Sequence, residues 1–266
     1  MASRTLQPER LLARIRVVLC QTSHPGNIGS TARAMKTMGL SELVLVRPKR
    51  FPDPEADALS SNALDVLHGA KVVETLTEAL AGTVLAVATV SHEYDLSHSL
   101  VTCREAAADA VATARSGDVA LVFGTEASGL TADEVRLCSV CAWIPGNPDY
   151  NSLNLAAAVQ IFAYETRLAA FAGAPAPDDV PDLASHDEIE RLHGHLTAVL
   201  EEIGFLDPAN PKRLVPRLRR MVARARLEQV EVQILRGLLT TIQERKLLPR
   251  PPSANSLQKL GNQTPE

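Results

Sequence analysis

Five short runs of apolar and β-branched residues, separated by helical stretches, constrain the fold of this chain more than any other feature. They are IRVVLCQT (Ile15–Thr22), ELVLV (Glu42–Val46), VLAVAT (Val84–Thr89), VALVFG (Val119–Gly124) and CAWIPG (Cys141–Gly146). Each is close to continuously apolar rather than alternating, which is the pattern of strands covered on both faces. Between them the sequence predicts helices over Ile28–Met38, stopped by Gly39, over the Ala-rich Arg104–Arg115, and over the long apolar Leu153–Phe171. Strands alternating with helices imply an α/β unit on a parallel sheet.

The composition then changes. AGAPAPDDVPD (Ala172–Asp182) has no apolar period and reads as a linker. Ser185 followed three residues later by Glu188 has capping-box spacing and opens a helical region. Helical patterns continue over Glu188–Ile203, Lys212–Arg226 and Glu228–Arg245. The expected division is an α/β unit over 1–172, a linker over 173–186, a small all-α unit over 187–248 and a disordered tail over 249–266.

With 45% hydrophobic and 22% charged residues the chain has globular composition, and with 3% aromatics its core must be aliphatic. No apolar run approaches the ~20 residues of a membrane helix, and the N-terminus lacks a signal-peptide layout. A cytoplasmic location is therefore expected. Cys138 and Cys141 form a C-x-x-C pair without a second pair to complete a zinc site, so a plain structural role is expected and no metal. The net charge of −4 counts mildly against nucleic acid, but the stretch Lys212–Arg226 holds seven basic residues and no acid. Within it Arg217, Arg220 and Arg224 share a helix face, either as a phosphate clamp or as a solvated surface.

Ligands of open parallel sheets bind beyond the C-terminal ends of strands. Four such ends here carry unusual residues. After the first run, Asn27 and Arg33 span a turn into a helix, and Gly26 and Gly29 allow close backbone approach. ATVSHEYD (Ala88–Asp95) follows the third run. FGTEASGL (Phe123–Leu130) places Glu126 in a turn before a helix beginning at Thr131. IPGNPDYNSLNLAAAVQ (Ile144–Gln160) is a bent loop with Ser152 and Asn154 at a helix mouth, where either residue can be a plain N-cap. Neither a G-x-G-x-x-G dinucleotide fingerprint nor a P-loop occurs.

In this order, N-x-G-x-x-x-R, F-G-x-E-x-x-G-L and I-P followed by S-L-N-L resemble the three motifs of the SPOUT RNA ribose 2′-O-methyltransferases. SHPGNIGSTARAMKTMGL and NPDYNSLNLAAAVQIFAYE are similar to the TrmJ-type tRNA enzymes, which modify the ribose at anticodon-loop position 32. EIERLHGHLTAVLEEIGF (Glu188–Phe205) and LRRMVARARLEQVEVQILRGLL (Leu218–Leu239) resemble that group's C-terminal helical extension. The resemblance implies a parallel sheet whose C-terminal part is threaded into a deep trefoil knot, S-adenosylmethionine as methyl donor, tRNA as substrate, and a homodimer. By the same resemblance 1–172 is catalytic and 187–248 binds tRNA.

Carried over residue by residue, the resemblance puts the donor against Thr89, Val90, Ser91, Gly124, Ile144, Asn151, Ser152 and Leu153. The polar catalytic set falls on Asn27, Arg33, Glu126, Ser152 and Asn154, with Arg33 reaching the site from the second subunit. Arg33, always protonated, is read here as a phosphate ligand that steadies the developing alkoxide rather than as a base. Glu126 is read as a tie between loops. Arg217, Arg220 and Arg224 would hold the tRNA backbone. No metal is implied, because the sulfonium is already an activated leaving group. Four residues depart from the family pattern: His92 and Tyr94 stand where arginines are usual, Thr125 replaces another, and Asn151 replaces a Ser. Each lost Arg removes a potential phosphate contact. These departures keep two alternatives open: methylation of another tRNA position or of rRNA, and a knotted RNA-binding protein with little activity.

Overall fold

The computed structural model describes residues 7–91, 100–172 and 181–246. His92, Tyr94, most of the expected linker and the C-terminal tail lie outside the described residues. The strands are β1 (Ile15–Cys20), β2 (Glu42–Val46), β3 (Lys71–Val73), β4 (Thr83–Thr89), β5 (Leu100–Thr102), β6 (Asp118–Phe123) and β7 (Val140–Trp143). They form one sheet in the order β3-β2-β1-β6-β4-β7-β5, and every pairing is parallel. The helices of this part are α1 (Pro8–Leu12), α2 (Pro25–Met38), α3 (Pro54–Ser60), α4 (Leu64–His68), α5 (Leu76–Leu80), α6 (Cys103–Thr113), α7 (Ala132–Arg136) and α8 (Leu155–Phe171). After them come α9 (His186–Glu202), α10 (Leu214–Ala225) and α11 (Gln229–Lys246).

The continuous apolar runs have a direct cause. Successive side chains of a strand face opposite sides of a sheet. Val17, Leu19, Val119, Leu121 and Phe123 enter a core formed with α2, α6 and α8. Their neighbours Val18, Cys20, Ala120 and Val122 enter a second core on the other face, with Leu76, Leu80 and Val135. Both faces are covered, so no position in the central strands can be polar without cost. Phe123 and Phe162 meet edge-to-face with ring centroids 5.5 Å apart, a pair that joins β6 to α8.

All five expected strands are present: β2 has the expected bounds, and the other four differ by one to three residues at their ends. β3 and β5 escaped the sequence reading because three residues are too few to show a period. The short helices α1, α3, α4 and α5 escaped for the same reason. Helix α2 begins at Pro25, three residues before the expected start, so Gly26 and Asn27 lie inside its first turn rather than ahead of it. The glycines of this turn serve packing: a Cβ at Gly29 would overlap the backbone of Ala56, and one at Gly26 would meet Leu59 at 2.6 Å. The close approach expected there is to α3, not to a ligand. Helix α8 starts at Leu155, capped by Asn154, two residues after the expected start.

Helices α9, α10 and α11 enclose a core of their own, with Leu192, Val199, Val222, Val232 and Leu239. The Ser185–Glu188 capping box is formed as expected. This unit meets the sheet unit through polar ties. Asp187 accepts from the Gly82 amide at 3.1 Å, and Arg226 donates to Asp109 at 2.6 Å and to Thr113 Oγ1 at 2.5 Å. Between the two lies a small cavity lined by His186, Glu190, His193, Arg219 and Cys138.

His193 is only 7% exposed. Burial, reinforced by Arg219 and His186 and opposed by Glu190, lowers it from 6.5 to about 4. Burial lowers His186 as well. The folded protein keeps these imidazoles neutral where the unfolded chain would bind protons, so the unfolded state is favoured as the pH falls. Stability is therefore expected to decline from about pH 6.5 toward about pH 4. Urea unfolding midpoints measured across that window check it, and His193→Gln should flatten the profile. An unchanged profile in that variant would remove His193 from the account.

Candidate active site

Because the sheet is parallel, the segments after β1, β4, β6 and β7 leave along one edge. Residues 89–91, 123–130, Ile144 and 151–153 from three of them line a cavity of about 330 Å³, closed below by Leu155, Ala158 and Phe162 of α8. That volume is in the range of small-molecule sites. All eight residues expected to contact a donor line it: Thr89, Val90, Ser91, Gly124, Ile144, Asn151, Ser152 and Leu153. Thr89 Oγ1 donates to the Val122 carbonyl at 2.9 Å, tying β4 to β6. Asn151 Nδ2 donates to the Ser91 carbonyl at 2.6 Å, tying the loop after β7 to the one after β4. The residue that replaces a Ser thus closes one wall of the cavity.

Gly124 has a spatial reason to be glycine. A Cβ there would overlap the backbone of Gly129 and Leu130. Those residues end a turn in which Thr125 and Gly129 exchange backbone hydrogen bonds at 3.0 and 2.9 Å. Thr125, where the family pattern has an arginine, serves this turn: its hydroxyl accepts from the Ser128 amide at 3.2 Å.

On the cavity wall, Glu126 collects four donors. These are the Ser23 amide at 3.1 Å, Ser23 Oγ at 2.9 Å, the His24 amide at 3.3 Å and Asn27 Nδ2 at 2.9 Å. Asn154 Nδ2 donates to Asn27 Oδ1 at 2.8 Å, while Asn154 Oδ1 accepts from the Ala156 amide at 2.9 Å and caps α8. One chain of hydrogen bonds therefore runs from the loop after β6, through the start of α2, to the start of α8. His24 is the N-cap of α2 but makes no side-chain cap; the Glu126 carboxylate satisfies that helix end instead. Gln21, in the left-handed region at φ 51°, turns the chain toward it. Sequence reading missed Ser23 and His24, which both contribute backbone amides that no residue pattern advertises, Ser23 adding its hydroxyl.

Burial pushes the Glu126 carboxyl up, but hydrogen bonds from Asn27, the Ser23 amide, its own amide and the Ser23 hydroxyl outweigh it, leaving it at about 2. A group depressed below its ordinary 4.5 contributes stability at higher pH that is lost as the pH falls through that interval. Glu126→Gln should flatten the acid limb of the unfolding profile between about pH 4.5 and 2. A limb unchanged in that variant would show that the bonds are not made in solution.

The remaining predicted residues are not brought to the cavity within one chain. Arg33 is exposed on α2 and does not line the cavity; its carbonyl accepts from Thr37 Oγ1 at 2.8 Å, but its guanidinium forms no hydrogen bond or ion pair among the described residues. In the basic run, Arg219 pairs with Glu190 at 2.6 and 2.8 Å and Arg226 is the tie to Asp109. Arg217, Arg220 and Arg224 are exposed, so the run divides into two structural arginines and an exposed face. Cys20, Cys138 and Cys141 are buried together in the second core. Burial raises all three thiols, Cys141 to about 11, the opposite of a reactive or metal-ready cysteine.

Residues 14–164, more than half of the chain, match the SpoU rRNA Methylase family. The chain belongs to the SpoU methylase family. Its parallel sheet, followed by a C-terminal helical extension, is consistent with the trefoil-knot architecture of SPOUT proteins. Residues 187–251 of this SpoU-family methylase match the TrmJ C-terminal domain of tRNA methyltransferases. It is 45% identical over 245 residues to the tRNA (cytidine/uridine/adenosine-2′-O-)-methyltransferase TrmJ of Pseudomonas aeruginosa, covering 88% of this chain and 95% of that protein. It is 46% identical to the tRNA (cytidine/uridine-2′-O-)-methyltransferase TrmJ of Yersinia pestis, covering 90% and 95%. The crystal structure of TrmJ from Z. mobilis ZM4 superimposes with a TM-score of 0.75 at 32% identity, covering 86% of this chain and 98% of that one. Within the family the chain stands with the TrmJ-type enzymes. Among the described residues no helix is long and apolar enough to cross a membrane, and no group of His, Cys, Asp and Glu could hold a metal ion.

Proposed function

We propose that this protein is an S-adenosylmethionine-dependent tRNA ribose 2′-O-methyltransferase acting on cytidine and uridine at anticodon-loop position 32, as a cytoplasmic homodimer. The observation that carries the reading is the convergence of the loops after β4, β6 and β7 on one cavity beside the Glu126–Asn27–Asn154 chain. The cavity suits the donor chemically. Irregular loops offer backbone groups that read an adenine edge, while Ile144 and Leu153 can cover the ring, and the floor is apolar. Bound there, S-adenosylmethionine supplies a methyl group on a positively charged sulfur.

The chain's own residues do the rest. Glu126 and Asn27 hold the start of α2 in place, and Asn154 fixes the start of α8 against it. Ser152, on the cavity wall, orients the ribose hydroxyl. Arg33 of the second subunit binds the neighbouring phosphate and stabilises the negative charge that grows on the 2′-oxygen, whose proton leaves through phosphate or water. Residues 1–172 form the catalytic unit and 187–248 the tRNA-binding unit, joined by 173–186. Arg217, Arg220 and Arg224 contact the tRNA backbone.

The test is methyl transfer from labelled S-adenosylmethionine to unmodified total tRNA, with nuclease mapping of the labelled nucleotide. A 2′-O-methyl mark at position 32 is expected. A mark elsewhere in tRNA or only in rRNA moves the target. Binding of tRNA without any binding of S-adenosylmethionine makes the protein an RNA-binding module instead.

A further inference from the structure

Tyr150 is 75% exposed, the highest value of any large apolar or aromatic side chain among the described residues. The chain has only three tyrosines, five phenylalanines and one tryptophan, and one of these few aromatics is spent on the surface at the cavity's edge. The loop that carries it is held at both ends. The Asn147 carbonyl accepts from the Tyr150 amide at 3.1 Å, and Asn147 Oδ1 accepts from the Asp149 amide at 3.1 Å. On the other side Asn151 is anchored to the Ser91 carbonyl. Tyr150 itself is outside the cavity, but the next three residues, Asn151, Ser152 and Leu153, line it. Leu153 is also 45% exposed and extends the apolar rim.

We infer that Tyr150 is the stacking platform for the base of the nucleotide being methylated. The inference rests on the RNA ribose methylation proposed above. To bring a 2′-oxygen to the cavity, the nucleotide must leave the stack of its loop, and its base loses its neighbours. An aromatic face beside the cavity replaces that lost stacking, as proteins do for splayed single-stranded bases. Every base has a π-face, so such a platform accepts purines and pyrimidines alike. Tyr150 thus contributes RNA affinity and positioning, and base discrimination comes from elsewhere.

The experiment compares Y150A, Y150F and Y150W with the wild type on an anticodon-arm RNA and on the same RNA with the target base removed. Y150A should weaken RNA binding by about tenfold or more and raise KM, with S-adenosylmethionine affinity and oligomeric state unchanged. Y150F and Y150W should stay near wild type. Removing the base should weaken binding to wild type but cause little further loss in Y150A, the signature of a shared contact. The inference is overturned if Y150A binds and methylates like wild type, or if base removal weakens both proteins equally. Y150A dissociating into monomers would make Tyr150 a subunit contact, and lost donor affinity would make it part of the cavity; either outcome also overturns it. Wild type that methylates RNA while Y150A is unimpaired sinks this inference alone, whereas wild type that binds no RNA sinks the proposed function and this inference with it.

Discussion

Arg33→Ala is expected to lower turnover by about a hundredfold or more while leaving S-adenosylmethionine affinity unchanged, the cost typical of removing one donor to a developing oxyanion. The reasoning begins with what Arg33 lacks. It is exposed on α2, its guanidinium makes no ion pair or hydrogen bond among the described residues, and it lies outside the cavity of its own chain. A structural arginine in this protein looks different: Arg219 and Arg226 are each paired. Single-turnover kinetics and donor titration calorimetry separate the two effects. Mixing Arg33→Ala with a variant whose donor cavity is blocked, such as Ser152→Trp, tests the source of the arginine. If a second copy supplies it, each mixed dimer contains one intact site, and a one-to-one mixture, about half of it mixed dimers, recovers about a quarter of wild-type turnover in a symmetric assembly. No recovery would place Arg33 in its own chain's site, and wild-type turnover by Arg33→Ala would remove it from the chemistry.

Gly124→Ala should produce the largest effect on the cavity itself. Its added methyl would overlap the backbone of Gly129 and Leu130, which cannot rotate away as a side chain can. The turn between Thr125 and Gly129 must then shift or β6 must move. The expected cost is about 2–3 kcal/mol of stability, the upper part of the range for overpacking, together with a loss of donor affinity of about tenfold or more. Thermal unfolding and calorimetry measure both. Gly237→Ala is the control: nothing lies within 4 Å of its added carbon. It sits in the exposed interior of α11, where alanine should stabilise by about 0.5–1 kcal/mol. If both variants behaved alike, the crowding at Gly124 would not exist in solution.

The sheet unit was largely legible from the chain, for a physical reason. Burial on both faces confines polar residues to the strand ends, as at Arg16, Thr83, Thr89 and Asp118, so each central strand appears as an apolar run. The same loops that end these runs carried the motif residues, and all eight expected cavity residues line one space. The helical unit announced itself through Ser185 and Glu188, because a capping box is a local device written within four residues.

Other features depended on residues far apart in sequence. Ser23 and His24 reach Glu126 across roughly a hundred positions through their backbone amides, and every residue type except proline carries such an amide. The division of the basic run into paired and exposed arginines required knowing that Glu190 and Asp109 lie opposite it. Gly26 and Gly29 could be read as permitting close approach, but only the packing of α2 on α3 decided what approaches. The sequence by itself determined five of the seven strands of the parallel sheet, which loops follow them and the cap that opens the helical region, because these follow from local periodicity and capping. Only the tertiary structure decided which side chains hold those loops together and which are left facing solvent, because hydrogen-bond partners and crowding are set by distances between segments.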